Sequence, residues 1–240
     1  TVTAKDQTIT YGDAISNTEI TSDGLVDGHS ITVTLTPSTA NVTVDGTITA
    51  GAAVITADGT DVTANYEIAY GEPSVLVIQP DTSKIDTLTT ENVTSANEAD
   101  IQAVQEMLEN ADSTKEEWEA ISEKCEALIE KIEEVEAQMK EATDEAAAFD
   151  AETVNSTDTE ELEQLAEDIE ALLDSDNLTE DERAALEEVL EQVSGMIDTI
   201  ENTAEDSKAA IDTIDALDPE TVTSADKDEL EQAVETIDEL

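Results

Sequence analysis

The sequence predicts two joined modules: a small antiparallel β-sandwich over residues 1–80 and an elongated all-α array after it. Composition changes abruptly near Pro80. Residues 1–80 are rich in Thr, Val, Ile and Gly, whereas Gly195 is the only glycine in residues 81–240. The acids are just as unevenly divided, with ten before this point and 52 after it. An apolar seam with a period of 3.5 residues also runs from Trp118 to Phe149, which is typical of a long helix that packs against other helices.

The first module contains short segments in which apolar residues alternate with Thr. This period of two is typical of a strand with one buried face. Turn residues separate the segments, as in small antiparallel sandwiches. The predicted strands are TVTA (1–4), QTIT (7–10), SITVTLTP (30–37), ANVTVDG (40–46), TITAG (47–51), AAVITADG (52–59), NYEIAYG (65–71) and SVLVIQP (74–80).

The second module contains an internal repeat that is clearest at its entry motif. The motif at 90–95 recurs at 152–156 and at 220–224, and its valines are separated by 61 and then 68 residues. A period of this size indicates tandem helical units that stack on their neighbours. We therefore predict a linker at 81–94, helical repeat 1 at 95–151, helical repeat 2 at 152–219, and the first helix of a truncated repeat 3 at 220–240.

Each repeat is predicted to hold a short helix and then a long one. Four pairs have the spacing of a capping box, in which a hydroxyl and an acid satisfy free N–H groups at a helix start. They are Ser95 with Glu98, Ser113 with Glu116, Thr157 with Glu160, and Thr179 with Glu182.

Two architectures remain open for the helical part, because the second seam weakens at Thr203 and Ser207. If the long helices break near 140 and 203, the units are tandem three-helix bundles. If they do not break, long helices of about 36 residues form a spectrin-like rod.

The net charge of −53 excludes several classes of partner. Binding to nucleic acid needs clustered Lys and Arg, and only nine are present. The same charge argues against direct contact with an anionic membrane. We expect a solvated, self-repelling surface and a monomer.

No catalytic, cofactor-binding or metal site is predicted, so we expect a protein that is not an enzyme. Cys125, the only cysteine, lies in the seam and is expected to be a buried thiol. His29, the only histidine, lies in a Gly-rich turn with no nearby partner in sequence and is expected to be a surface turn residue. Asp174–Asn177 begins like a calcium loop but lacks the glycine and the glutamate that such a loop needs. Incidental binding of Ca²⁺ or another cation stays open.

The first module resembles the MBG family, the "mostly bacterial" Ig-like domains of Gram-positive surface proteins. The resemblance rests on Tyr11-Gly12-Asp13, a Gly-Leu-x-x-Gly at 24–28, Asn65–Ile68 before Tyr70, and a closing strand at 76–78. It departs at Gly51–Ile55, where the family carries a tyrosine. The helices also resemble acidic repeats that accompany such domains, on the entry segment at 222–226 and the segment at 177–183. The resemblance implies an Ig-like fold, an extracellular location and no catalytic residues.

These observations together favour a non-enzymatic, extracellular segment of a bacterial cell-surface protein that acts as a stalk or adhesin scaffold. The alternative is a helical module that binds a host protein, such as an immunoglobulin or another serum or mucosal protein. Apolar residues beside the seam would then provide the contact surface. The candidates are Ile129, Leu173, Leu190 and Ile197, although Ile129 and Ile197 also suit a widened core stripe.

Overall fold

The computed structural model describes residues 1–113, 116–216, 223–224 and 226–239. The chain divides into two compact units. Unit 1 comprises residues 1–90 and 96–130, and unit 2 comprises residues 91–95 and 131–240. An N-terminal β-rich domain is followed by a helical region, and the described residues of that region form five α-helices. The predicted division of the chain into a β module and an α module is confirmed.

The β-rich domain contains two sheets. The strands are β1 (Val2–Ala4), β2 (Gln7–Thr10), β3 (Ile20–Ser22), β4 (His29–Pro37), β5 (Thr43–Ala57), β6 (Thr60–Asp61) and β7 (Ser74–Gln79). One sheet pairs β1 with β3, and the other has the order β2-β7-β5-β4, with β6 paired to β5. Side chains from both sheets meet in one core, which includes Val2, Ala4, Leu35, Ile48 and Leu76.

The three strands predicted between 40 and 59 are wrong, because β5 is one strand of 15 residues. Gly46 and Gly51 suggested turns, but they lie at irregularities within the strand. The pairing of β5 with β7 shifts between Thr43 and Gly46. A Cβ on Gly46 would lie 2.8 Å from Thr43 Cγ2 and 3.1 Å from the Leu76 carbonyl oxygen, so this close approach favours glycine.

A second irregularity lies at Ala52, whose φ of 47° is left-handed. The register with β4 shifts at this point, between Thr32 and Thr34. The hydroxyl of Tyr70 accepts a hydrogen bond from the Ala53 N–H at 2.9 Å. Tyr70 thus satisfies the amide at the bulge.

Two further predictions about the β-domain are corrected. The segment 65–71 forms no strand: a 3₁₀ turn covers Thr63–Asn65, and Tyr70 makes only an isolated bridge to Val2. The sandwich is also not purely antiparallel, since β2 and β7 pair in parallel. The alternation of apolar and polar residues along a strand shows which face is buried. It does not show whether the neighbouring strand runs parallel or antiparallel. The short strands β3 and β6 lack an alternating pattern and were not predicted.

The helices are α1 (Glu98–Glu109), α2 (Glu116–Ala148), α3 (Thr159–Leu173), α4 (Glu180–Asp215) and α5 (Lys227–Glu239). Neither long helix breaks: α2 is continuous through 140, and α4 is continuous through Gly195 and 203. Thr203 and Ser207 are half-buried within α4. Helical residues such as Ala and Glu surround them, so a loss of apolarity there does not end the helix. Leu217, Glu220–Val222 and Leu240 lie outside the described residues.

Of the three predicted capping boxes that lie wholly within the described residues, only one forms as predicted. Thr179 and Glu182 exchange both hydrogen bonds at the start of α4. At α1 and α3 the N-cap residues are Asn97 and Asp158, and neither makes a side-chain cap. The hydroxyl of Ser113 instead contacts the β-domain, and residues 114–115 lie outside the described part of the chain.

The core of unit 2 is built from α2, α3 and α4. It combines Val135, Ala142 and Ala146 of α2 with apolar residues of α3 and of the N-terminal half of α4. The unit boundary falls at 130–131, within α2, so compact units and sequence repeats divide the chain differently. The buried residues of α3 and α4 in this core are Leu162, Leu165, Ile169, Leu186, Val193, Met196 and Ile200.

Candidate interaction surfaces

Within unit 1, the turn between α1 and α2 is docked on the β-domain. The backbone N–H of Asp112 donates to the Val42 carbonyl at 2.9 Å. The side-chain amide of Asn41 donates to the Asp112 carboxylate at 3.0 Å. Ser113 Oγ accepts from the Val44 N–H at 2.9 Å and shares a hydrogen bond with the Thr43 hydroxyl. The helical hairpin is therefore fixed to the sandwich by specific polar contacts.

Two carboxylates at this contact have altered acidity. Hydrogen bonds from Thr39 and then Asn41 lower the pKa of Asp112, although some desolvation and the nearby Asp45 oppose the change. Hydrogen bonds from Ser113 and then Thr43 lower the pKa of Asp45. Both groups are stabilised as anions by donors of the docked turn and its receptor loop.

The segment predicted as a linker is packed in its unit 1 part. Ile85 is 1% exposed. The Lys124 ammonium group donates to the carbonyl oxygens of Ile85 at 2.7 Å and Asp86 at 3.1 Å. One of the few cations of the chain is thus used to hold the backbone of this segment against α2.

Within unit 2, the entry segment 91–95 contacts the turn between α3 and α4. The side-chain amide of Asn177, itself buried, donates to the Val93 carbonyl at 2.8 Å. The Ser95 hydroxyl donates to Glu182 Oε1 at 2.6 Å. Burial raises the pKa of Glu182, but hydrogen bonds from Ser95 and Thr179 together bring it below its usual value. The Glu182 carboxylate therefore serves both the cap of α4 and the contact with the entry segment.

Arg183 also stabilises the turn between α3 and α4. Arg183 donates from one guanidinium nitrogen to the Leu173 carbonyl and from another to the Ser175 carbonyl at 2.8 Å. These carbonyl groups lie at the C-terminal end of α3, where cations are favoured. Asn177 is thereby placed to reach the entry segment.

The four predicted partner-binding residues are all half-buried. Leu173, Leu190 and Ile197 pack against the core of unit 2, and Ile129 lies in the α2 part of unit 1. Their role in partner binding stays a prediction. The large apolar residues with the greatest exposure in the described helices are Ile211 and Val234, at 52% and 49%.

Cys125, His29 and Asn177, the residues considered for catalysis or metal binding, are buried or hydrogen-bonded within the fold. Cys125 is fully buried, and burial raises the pKa of its thiol, which disfavours the reactive thiolate. His29 is the first residue of β4 rather than a turn residue, and its Nδ1 lies 2.7 Å from the Tyr66 hydroxyl. Asn177 of the calcium-like segment points its amide at a carbonyl group. Among the described residues, no group of three or more His, Cys, Asp or Glu is arranged to hold a metal ion.

Unit 2 contains two open grooves whose lining residues correspond. A groove of about 470 Å³ lies between α2 and α3, and one of about 720 Å³ lies between α4 and α5. Six residues that line the α2–α3 groove have counterparts that line the α4–α5 groove. Each counterpart lies 68 positions further along the chain. The first set is Gln138, Glu141, Ala142, Glu145, Leu165 and Asp168, and the second is Asp206, Ala209, Ala210, Thr213, Ala233 and Thr236.

The start of the short helix is also repeated. The Asp158 carboxylate accepts from the Asn155 N–H at 2.9 Å, and the Asp226 carboxylate accepts from the Thr223 N–H at 2.7 Å. The α4–α5 pair is therefore the structural counterpart of the α2–α3 pair. The tandem helical repeats themselves stay a prediction.

The fold defines a β-rich domain of two sheets joined to acidic helices. A family model described as "MBG domain (YGX type)" matches residues 1–76. This match supports the MBG-type domain predicted for the first third of the chain, and such a domain is consistent with a segment of a bacterial surface protein. No curated protein and no solved structure matches the chain. No helix in the described part of the chain is both long and apolar enough to cross a membrane.

Proposed function

We propose that this chain is a non-enzymatic scaffold segment of a Gram-positive cell-surface protein, in which the MBG-type domain and the helical repeats form a stalk for an adhesin. The observation that carries the proposal is the MBG match over residues 1–76, combined with the docking of the first helical hairpin on that same domain through Asp112 and Ser113. A spacer must transmit force between its modules, and specific contacts between neighbours serve this purpose better than a free linker.

The helical repeats support the same proposal. The long helix α2 supplies residues to both compact units, as expected of a spectrin-like array in which a helix serves two neighbours. The burial of Cys125 and the pairing of His29 with Tyr66 support a role without catalysis. Strong negative charge keeps such a segment soluble at the cell surface.

Location is the part of the proposal that is tested most directly. Antibodies raised against residues 1–76 should label intact cells of the producing bacterium, and brief protease treatment of those cells should remove the signal. An antibody against a cytoplasmic protein is the control, since it should label only permeabilised cells. Labelling of residues 1–76 only after permeabilisation would overturn the proposal.

A further inference from the structure

In unit 2, α4 and the turn before it pack against the preceding helices and the entry segment. The C-terminal half of α2 and the short helix α3 are covered by the N-terminal half of α4. Ala146 and Leu162 are 2% and 0% exposed, and both belong to one core with Val193 and Met196 of α4. The turn before α4 contacts the entry segment as well. Val93 is 1% exposed, and its carbonyl accepts a hydrogen bond from the Asn177 side chain in this turn.

The equivalent surface one repeat later is less covered. Ile214 and Leu230, the counterparts of Ala146 and Leu162, are half-buried. Val234 is 49% exposed, although its counterpart Ala166 packs against the core of unit 2. Val154, the counterpart of Val93, is half-buried and packs against the core of unit 2, so it is not part of the uncovered surface. Three separate positions thus lose burial together, at the place where the preceding repeat has its long helix.

We propose that this surface, formed by Ile214, Leu230 and Val234, is the docking site for the turn and long helix of another repeat of the same kind. The occupant is defined by the chemistry of the earlier repeat. It is an amphipathic helix with the apolar seam of Leu186, Val193 and Met196, preceded by a turn with an amide side chain at the position of Asn177. The proposal rests on the helical array of the proposed function, but it does not depend on location at the cell surface.

The receiving surface is distinct from the repeated groove. The groove between α2 and α3 stays open although α4 covers the core face of both helices. Its counterpart between α4 and α5 is therefore not the proposed docking site. The surface proposed here is instead the face that corresponds to the core of unit 2, where apolar side chains from three helices meet.

A chimera of the full chain tests the proposal. A second copy of residues 173–202 is placed directly after Leu240, so that α5 is followed by the same turn and helix that follow α3. The added helix should cover Leu230 and Val234 and slow local opening. We expect amide hydrogen exchange in residues 203–216 and 227–236 to be about tenfold slower or more than in the parent chain.

A matched chimera supplies the control. In it, the copies of Leu186, Val193 and Met196 are each replaced by Asp, which leaves length and the start of the helix unchanged but removes the apolar seam. Exchange in residues 203–216 should return to the rate of the parent chain. A Leu230→Asp substitution in the first chimera should also abolish the protection, since it alters the receiving surface itself.

Equal exchange rates in the two chimeras would overturn the proposal. Protection of residues 203–216 that persists after Leu230→Asp would also overturn it, because the added helix would then bind elsewhere. Neither result bears on cell labelling, so failure of this inference can be distinguished from failure of the proposed function. Measurements in about 0.15 M salt limit repulsion between the acidic helices.

Discussion

At the scale of single residues, Glu182 joins two parts of unit 2 through one carboxylate. It accepts from the Thr179 N–H at 2.7 Å as part of the capping box and from the Ser95 hydroxyl at 2.6 Å. Replacing it by Ala removes both contacts. We expect Glu182→Ala to destabilise unit 2 by about 1–2 kcal/mol, measured as a lower urea midpoint of the helical circular dichroism signal.

Glu187→Ala is the matched control for this prediction. Glu187 lies on the same helix, carries the same charge and is exposed, so its loss should leave the midpoint nearly unchanged. The two variants reduce the negative charge equally, which separates the contacts of Glu182 from general repulsion. Equal midpoints for both variants would show that the cap and the Ser95 contact contribute nothing.

At the scale of elements, long helices were predictable and strand boundaries were not. The seam that contains Cys125 and Leu128 repeats over nine turns of one helix, so that many residues report the same period. In the segment 40–59 the strand boundaries depend on Gly46 and Gly51 alone. Glycine suits a turn and a bulge equally well, so these two residues do not show where a strand ends. The helix caps were predicted from spacing alone, which does not reveal that another element competes for the hydroxyl of Ser113.

The interaction surfaces were the least predictable feature. The contact of Ser113 with Val44 joins residues 69 positions apart, and neither side has a composition that identifies the other. Asn177 was noticed only as part of a calcium-like segment, although its amide reaches a backbone carbonyl group. Contacts of this kind depend on the tertiary placement of two turns, which no local periodicity encodes.

The docking of the α1–α2 turn leads to a prediction at the same scale. Ser113→Ala removes the acceptor of the Val44 N–H, and the turn should detach more often from the β-domain. We expect the amide of Asp112, which donates to Val42, to exchange about fivefold to tenfold faster, as for the loss of about 1 kcal/mol of one hydrogen bond.

The control for this experiment is Ser156→Ala, since Ser156 is exposed at the start of the second repeat. Asp112 should exchange at the original rate in that variant. An unchanged Asp112 rate in Ser113→Ala would refute the role of this hydroxyl in docking. The rates within β7 serve as an internal reference, because loss of the turn contact should leave the sheet itself intact.

At the scale of the whole molecule, two effects of pH oppose each other. The net charge of −53 at pH 7 makes the folded chain repel itself, and this repulsion weakens as the pH approaches the isoelectric point near 4.1. Asp45, Asp112 and Glu182 act in the other direction, because their folded pKa values lie below the usual ones. Their contribution is present above the unfolded pKa of about 4 and is lost as the pH falls through the folded pKa.

We therefore expect the urea midpoint to rise from pH 7 to about pH 5 and to fall again below about pH 4. Added salt distinguishes the two effects, since at about 1 M the screening length is only about 3 Å. The rise between pH 7 and pH 5 should then largely disappear, because it comes from charges that act over long distances. The fall below pH 4 should persist, because it comes from hydrogen-bonded carboxylates in direct contact with their donors. A midpoint that rises steadily down to pH 3 at both salt concentrations would show that these carboxylates do not contribute to stability as anions.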